Sequence, residues 1–253
     1  MAALLFLTSS VLVVVLVSAA GREYQFDDVG DVFVKAGEVG KYADERLQAA
    51  ANGKALPTPP AIVADIVTVK IGILVTMSYE LSLIALVLAA TRQSPAAALR
   101  TFRMDRYRWS GIWRPALVCL GAYVGITVYS IVMSAIGIGW LEPQSTIPAA
   151  IVRNDTALAL AGLLAVVGAP LAEETFFRGF VFGGLSRWGF WPAAAISALL
   201  FTLVHFDPGS IIPFFCIGLA LAWIFWSRGS LWDNVALHAM FNGTSFLILL
   251  FSR

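Results

Sequence analysis

The sequence is dominated by apolar stretches that are about as long as a lipid bilayer is thick. One covers residues 2–20, a second residues 71–90 and a third residues 115–139. A transmembrane helix needs about 20 predominantly apolar residues to cross a hydrocarbon core of about 30 Å. The pattern therefore predicts an all-α integral membrane protein, a helical bundle with roughly seven or eight transmembrane helices.

Composition supports this prediction and limits the kinds of partner. Of the 253 residues, 59% are hydrophobic and 13% are charged, whereas soluble domains carry about 25% charged residues. A formal net charge of +1 argues against nucleic acid as a partner and leaves membrane lipid as the expected surroundings. Cys119 and Cys216 lie singly in apolar runs, which is typical of core packing rather than of a disulfide framework.

The chain divides near residue 156 into N-terminal membrane helices (1–156) and a second membrane unit (157–253). Residues 21–60 are polar and predict an extramembrane segment. Residues 2–20 lack a basic flank, so we favour an uncleaved first helix over a signal peptide. Residues 91–114 contain six arginines and one acidic residue, which places them on the cytoplasmic side. We expect a multi-pass protein of the cell membrane with residues 21–60 facing outward.

The second membrane unit is predicted to contain four further spans. The first of these, the fourth span of the chain, starts near Ala157 and is expected to break at Pro170. The last three cover residues 191–206, 211–226 and 231–251. Short connections predict antiparallel neighbours. With helices of ordinary length, Glu173 and His205 would lie at different depths. Either the fifth helix is short and deeply set, or a further half-span begins at Arg178.

Three charged residues interrupt the fourth span. Glu173, Glu174 and Arg178 lie among alanines and phenylalanines, where each charge costs about 2.5–3.5 kcal/mol to insert. On a helix Glu174 and Arg178 are four apart and share a face, whereas Glu173 points about 100° away. We expect the arginine to hold Glu174 and to leave Glu173 available for chemistry.

Further polar groups follow in the next helices. Phe201 and His205 share one helical face, and His238 and Asn242 share another. A carboxylate and an imidazole can activate water, and an imidazole with an amide can stabilise an oxyanion. The alternatives are a buried structural network, or a proton or ion path in a transporter. Because these are the chain's two histidines, we favour a functional site.

One more carboxylate lies outside this cluster. Glu80 sits near the middle of the second predicted span. It could join a polar cavity, or it could be satisfied by a neighbouring helix, and we favour the second interpretation.

The order of the three motifs resembles that of the CPBP family of intramembrane proteases, which includes the type II CAAX prenyl endopeptidases and bacteriocin self-immunity proteins. The motifs are Glu173-Glu174-x-x-x-Arg178, Phe201-x-x-x-His205 and His238-x-x-x-Asn242. The resemblance covers roughly residues 157–251 and makes 157–253 the expected catalytic core. It implies an endopeptidase that cleaves a peptide bond in or near the membrane, with a peptide or prenylated protein as substrate.

The resemblance also implies residue roles. Glu173, aided by His205, would activate water, and His238 with Asn242 would stabilise the oxyanion. Glu174, Arg178 and Phe201 would support them. The family is called a metalloprotease family, which would make Glu173, His205 and His238 ligands of a zinc ion, but a metal-free glutamate mechanism is also argued for it.

Two non-peptidase hypotheses remain open at this point. Some relatives of this kind have no assigned substrate, so a non-catalytic immunity or scaffold protein is one alternative. A proton-coupled transporter is the other. We favour the peptidase because a transporter needs no paired imidazole and amide, and usually shows repeated broken spans.

Overall fold

The computed structural model of the chain describes residues 66–105, 109–137, 154–205 and 207–251, with isolated positions at 45, 48–49, 52–55, 57–58, 141 and 143. Within the four long ranges the regular elements are helices, so the predicted all-α class is confirmed. The helices are α1 Ile66–Thr91, α2 Pro95–Thr101, α3 Trp113–Ala135, α4 Asp155–Trp188, α5 Phe190–Leu203, α6 Ile211–Arg228 and α7 Leu231–Phe251.

Four of these helices are long and apolar enough to cross a membrane: α1, through Gly72–Thr91, and all of α3, α4 and α6. The protein is therefore an integral membrane protein. The described part of the chain holds fewer candidate spans than the seven or eight predicted. One reason is that α5 has 14 residues, and another is that α7 carries several polar side chains, among them Asp233, Asn234, His238 and Asn242.

Several predictions concern segments that the structure does not describe. The predicted first helix at residues 2–20 lies outside the described residues, as does most of the polar segment at 21–60. The orientation of the bundle and the division at residue 156 stay predictions.

Helix α4 is the central element, and it is not broken at Pro170. The chain runs as one helix from Asp155 to Trp188, with π-helical segments at Leu164–Gly168 and Glu174–Phe182. A proline inside a helix lacks an N–H and crowds the preceding turn. Here it follows directly after the first π-helical segment, where the hydrogen-bond register changes. The predicted break was wrong because the proline sits at this change of register.

The length of α4 also explains how Glu173 and His205 come to the same level of the bundle. The helix continues for about four turns beyond Glu173 before Gly189 turns the chain. Gly189 has φ = +97°, a conformation that favours glycine. Helix α5 then returns over 14 residues and brings Phe201 and His205 back beside the middle of α4. Helix α5 is therefore short, as the first of the two alternatives predicted, and its depth in the membrane stays a prediction.

The remaining helices enclose α4. Helix α1 packs against it on one side, and α7 packs against it, α3 and α6 on another. Helices α5 and α6 approach so closely that a Cβ atom added to Gly218 would lie 2.8 Å from the Cα of Ala198. Tyr123 of α3 donates to the carbonyl of Phe241 at 2.6 Å, so this hydroxyl group serves the packing of α3 against α7.

Candidate active site

Glu174 is the centre of a fully buried polar cluster. Its Oε1 accepts hydrogen bonds from Nη1 of Arg178 at 3.0 Å and from Nδ1 of His238 at 2.9 Å. Its Oε2 accepts from Nδ2 of Asn234 at 3.3 Å. Both members of the Glu174–Arg178 pair have a solvent exposure of 0%. The predicted ion pair on one helical face is therefore present, and its hydrogen bonds join α4 to α6 and α7.

Both terminal nitrogens of Arg178 donate hydrogen bonds within the bundle, whereas its Nε has no partner among the described residues. Its Nη2 donates to the carbonyl of Gly218 at 3.3 Å, and its guanidinium carbon lies 4.4 Å from the centre of the Phe201 ring. A buried guanidinium needs both a counter-charge and hydrogen-bond acceptors, and it gains further stabilisation from an aromatic face. The supporting roles expected for Arg178 and Phe201 are consistent with these contacts.

Glu173 differs from its neighbour in having an unused oxygen. The side chain is buried, with 8% of its surface exposed. Within the described residues, no hydrogen-bond partner reaches its Oε2. Its carboxyl group lies close enough to Glu80 of α1 and to His238 to interact electrostatically with both. Of the two adjacent carboxyl groups, Glu173 is thus the one that can take part in chemistry.

His205 lies in the turn after α5, outside the four candidate spans. Its Nδ1 is 2.7 Å from the carbonyl oxygen of Phe201. Because a carbonyl only accepts, Nδ1 carries the hydrogen, and Nε2 of the neutral ring is left as an acceptor. Burial lowers the pKa of His205 to about 4, and the hydrogen bond to Phe201 opposes part of this shift. The imidazole is therefore neutral near pH 7.

Both imidazoles lie next to Phe201. The ring centre of Phe201 is 4.7 Å from that of His205 and 5.8 Å from that of His238. Because Nδ1 of His238 faces the Glu174 carboxylate, that nitrogen carries the hydrogen and Nε2 is the atom left for the site. In the described part of the chain, no hydrogen bond joins Glu173 to His205 directly.

Asn242 is held one helical turn beyond His238. Its Nδ2 donates to the carbonyl of Ala165 at 2.8 Å, within the first π-helical segment of α4. The π-helical turn therefore presents a backbone acceptor to α7. One amide hydrogen of Asn242 is occupied by this contact and the second is left for a ligand.

The zinc ligands expected from the resemblance are not brought together. Within the described ranges, no group of three or more His, Cys, Asp or Glu side chains is placed to hold a metal ion. Glu173, His205 and His238 do not fit a three-ligand zinc site in this arrangement. We therefore derive no step through zinc, and metal dependence stays a prediction.

Two members of the cluster were not recognised from the sequence. Asn234 was missed, although it lies four residues before His238 and continues the stripe of polar residues along α7. Its Nδ2 also donates to the carbonyl of Leu221 at 2.6 Å, which links α7 to α6. We favoured a Glu80 satisfied by a neighbouring helix, but the group near it is the carboxyl group of Glu173, and Oε2 of Glu80 has no partner among the described residues. Glu80 therefore belongs to the polar site.

The fold and the cluster define a class: an integral membrane helical bundle with a buried candidate active site of carboxyl, imidazole and amide groups. Residues 155–244 match the family described as Rce1-like, type II CAAX prenyl endopeptidase Rce1-like. The resemblance indicated by the motif order is thereby confirmed for this segment.

One curated relative agrees with this assignment. Over 160 residues the chain is 27% identical to a protein of Bacillus subtilis (strain 168) named "Putative membrane peptidase YdiL". The alignment covers 63% of this chain and 64% of that protein. No solved structure matches the chain significantly.

Proposed function

We propose that the protein is an intramembrane endopeptidase that hydrolyses a peptide bond in or near the membrane, with Glu173 as the general base. The observation that carries this proposal is the contrast between two adjacent buried carboxyl groups. Glu174 accepts hydrogen bonds from three side chains, whereas Oε2 of Glu173 has no partner among the described residues. A buried base with an unused oxygen is suited to bind and deprotonate a water molecule.

Water activation would use Glu173 and His205 together. Glu173 takes a proton from the water as the oxygen attacks the carbonyl carbon of the substrate, and it returns that proton to the leaving amine. The neutral His205 offers Nε2 as an acceptor that can orient the same water. A single bridging water also accounts for a site in which the two side chains do not touch.

The oxyanion would be stabilised from α7. The amide hydrogen of Asn242 that does not contact Ala165 can donate to the developing charge. His238 is oriented by Glu174, so its Nε2 faces the site as a second donor when the ring is doubly protonated. Donors fixed in a buried site stabilise such a charge without reorganisation, and each contributes about 100- to 1,000-fold in rate.

The substrate class follows from the family match rather than from the geometry. We propose a protein with a C-terminal CAAX-type sequence, whose prenyl group would anchor it in membrane lipid beside the bundle. The match over residues 155–244 to the type II CAAX prenyl endopeptidases supports this choice.

The test is a cleavage assay on purified protein in liposomes. A farnesylated C-terminal peptide and a panel of unmodified membrane peptides are the substrates, and Glu173→Gln is the principal variant. Asp155→Asn is the matched control, because it makes the same carboxyl-to-amide change at an exposed position on the same helix. We expect Glu173→Gln to lose cleavage and Asp155→Asn to retain it.

Two outcomes of the assay oppose parts of the proposal. If wild type cleaves no peptide, or Glu173→Gln cleaves as fast as wild type, Glu173 is not the base of a peptidase. Cleavage of unmodified peptides alone would retain the peptidase and overturn the CAAX assignment. The same assay with a chelator, after bound metal is shown to be removed, decides whether zinc takes part.

A further inference from the structure

Ser197 of α5 donates a hydrogen bond to the backbone of α4. Its Oγ lies 2.7 Å from the carbonyl oxygen of Phe177, and the serine is fully buried, with an exposure of 0%. A serine or threonine hydroxyl inside a helix can instead donate to the carbonyl four residues earlier, as Thr202 of α5 does to Ala198 at 2.8 Å. The hydroxyl group of Ser197 therefore links two helices rather than two turns of its own helix.

The carbonyl that Ser197 reaches belongs to the π-helical segment Glu174–Phe182, which contains the ion pair of Glu174 with Arg178. At the end of this segment, the N–H of Gly183 donates to the carbonyl of Arg178, five residues earlier. Such hydrogen bonds are rare and often occur at functional sites. A shift of the helix by one residue turns every side chain beyond it by about 100°. The register of this segment thus decides which side chains of α4 face the neighbouring helices.

Ser197 also extends the face of α5 that carries the second motif. Ser197, Phe201 and His205 follow one another at intervals of four residues, a spacing that places helical residues on one face. The Phe201 ring packs edge-on against the ring of Phe177, with the ring centres 5.5 Å apart. Phe177 is therefore held twice from this face of α5, by its carbonyl group and by its ring.

We propose that Ser197 is a positioning residue of the candidate active site. Its hydrogen bond fixes α4 in the π-helical register in which Glu173 and Glu174 face the other members of the cluster. The first π-helical segment has a similar contact, because Asn242 of α7 donates to the carbonyl of Ala165. The inference rests on the proposed function of Glu173, and it adds a working residue that lies between the first two motifs.

The kinetic test removes a hydroxyl group at two buried positions of α5. Small displacements of a reacting group can cost about 100-fold in rate, so we expect Ser197→Ala to lower kcat about 10- to 100-fold with KM nearly unchanged. Thr202→Val is the matched control, because the Thr202 hydroxyl bonds within α5 and its loss leaves the link to α4 intact. Its kcat should stay close to that of wild type.

The thermal midpoint of each variant is measured in the same liposomes. Full activity of Ser197→Ala would overturn the inference, and so would an equal loss of kcat in Thr202→Val. A fall in the thermal midpoint of Ser197→Ala that accounts for its lost activity would assign the serine to stability alone.

A measurement without substrate separates this inference from the proposed function. The chain contains two Phe-Arg sequences, Phe102-Arg103 and Phe177-Arg178. Protein labelled with ¹³C at the phenylalanine carbonyls and with ¹⁵N at arginine therefore gives two signals from directly bonded pairs in solid-state NMR. The variant Arg103→Lys removes one of them and so assigns both.

We expect Ser197→Ala to shift the Phe177 carbonyl signal, because that carbonyl loses a hydrogen bond, and to leave the Phe102 signal in place. If the Phe177 signal does not shift, the serine does not hold this carbonyl and the inference fails, even in a protein that cleaves peptides. A shifted signal in a protein that cleaves no peptide would count against the proposed function and would retain the link between α5 and α4.

Discussion

Nδ1 of His238 and Oε1 of Glu174 are 2.9 Å apart, although the two residues lie on different helices and 64 positions apart in the chain. The same oxygen accepts from Arg178. The second glutamate of the pair thus ties α4 to α7 and orients an imidazole. Oε2 of the first glutamate has no partner among the described residues, so the two adjacent carboxyl groups have different surroundings.

This division of roles predicts opposite effects of two neighbouring substitutions. Glu174→Gln removes the charge that balances the fully buried Arg178, and breaking such a pair costs about 3–5 kcal/mol. Glu173→Gln should change the free energy of unfolding by less than about 1 kcal/mol while removing activity. Denaturant unfolding of both variants in detergent measures the difference. Equal stabilities would contradict the assignment of the ion pair to Glu174.

Asn242 is expected to act on the rate rather than on binding. Asn242→Asp replaces the donor at Nδ2 with an oxygen, and we expect kcat to fall about 100- to 1,000-fold with KM nearly unchanged. The loss of its bond to Ala165 should also cost about 1 kcal/mol in stability. Steady-state kinetics with the cleaved peptide check the first effect. Leu247→Ala, a change at an exposed position near the same end of α7, is the control, and a rise in KM alone for Asn242→Asp would exclude the oxyanion role.

The close approach of α5 and α6 predicts a second contrast in stability. Gly218→Ala places a Cβ atom 2.8 Å from the backbone of Ala198, and overpacking of this kind costs about 1–3 kcal/mol. Gly184→Ala meets no atom within 4 Å, and alanine is the better helix former. Thermal unfolding should therefore show a lower midpoint for Gly218→Ala and an equal or higher one for Gly184→Ala. A tolerated Gly218→Ala would mean that the two helices separate easily.

His205 predicts a dependence of stability on pH. Its pKa is about 4 in the folded protein and 6.5 in the unfolded chain. As the pH falls from 6.5 towards 4, the unfolded chain binds a proton that the folded protein does not, so the folded state loses stability in this window. Unfolding curves recorded at several pH values should show a smaller loss for His205→Gln than for wild type. Parallel losses would show that the imidazole is exposed to solvent in the folded protein.

The sequence alone determined the class of protein and most of the candidate site. Apolar stretches of bilayer length leave few alternatives to a helical bundle. The lengths of these stretches and the spacing of the charges between them are read directly from the sequence. The pairing of Glu174 with Arg178 was predictable for a similar reason. The helical repeat brings residues four apart onto one face, whatever the surrounding helices do.

The tertiary structure decided the depth of the site and its additional members. The length of α4 beyond Glu173 depends on π-helical segments and on the turn at Gly189, which local periodicity does not encode. Glu80 and Glu173 interact electrostatically although they are 93 positions apart in the chain. Which helix faces which is set by packing over the whole bundle, for example at Gly218. Only the assembled helices could therefore show that a carboxyl group on α1 lies near Glu173.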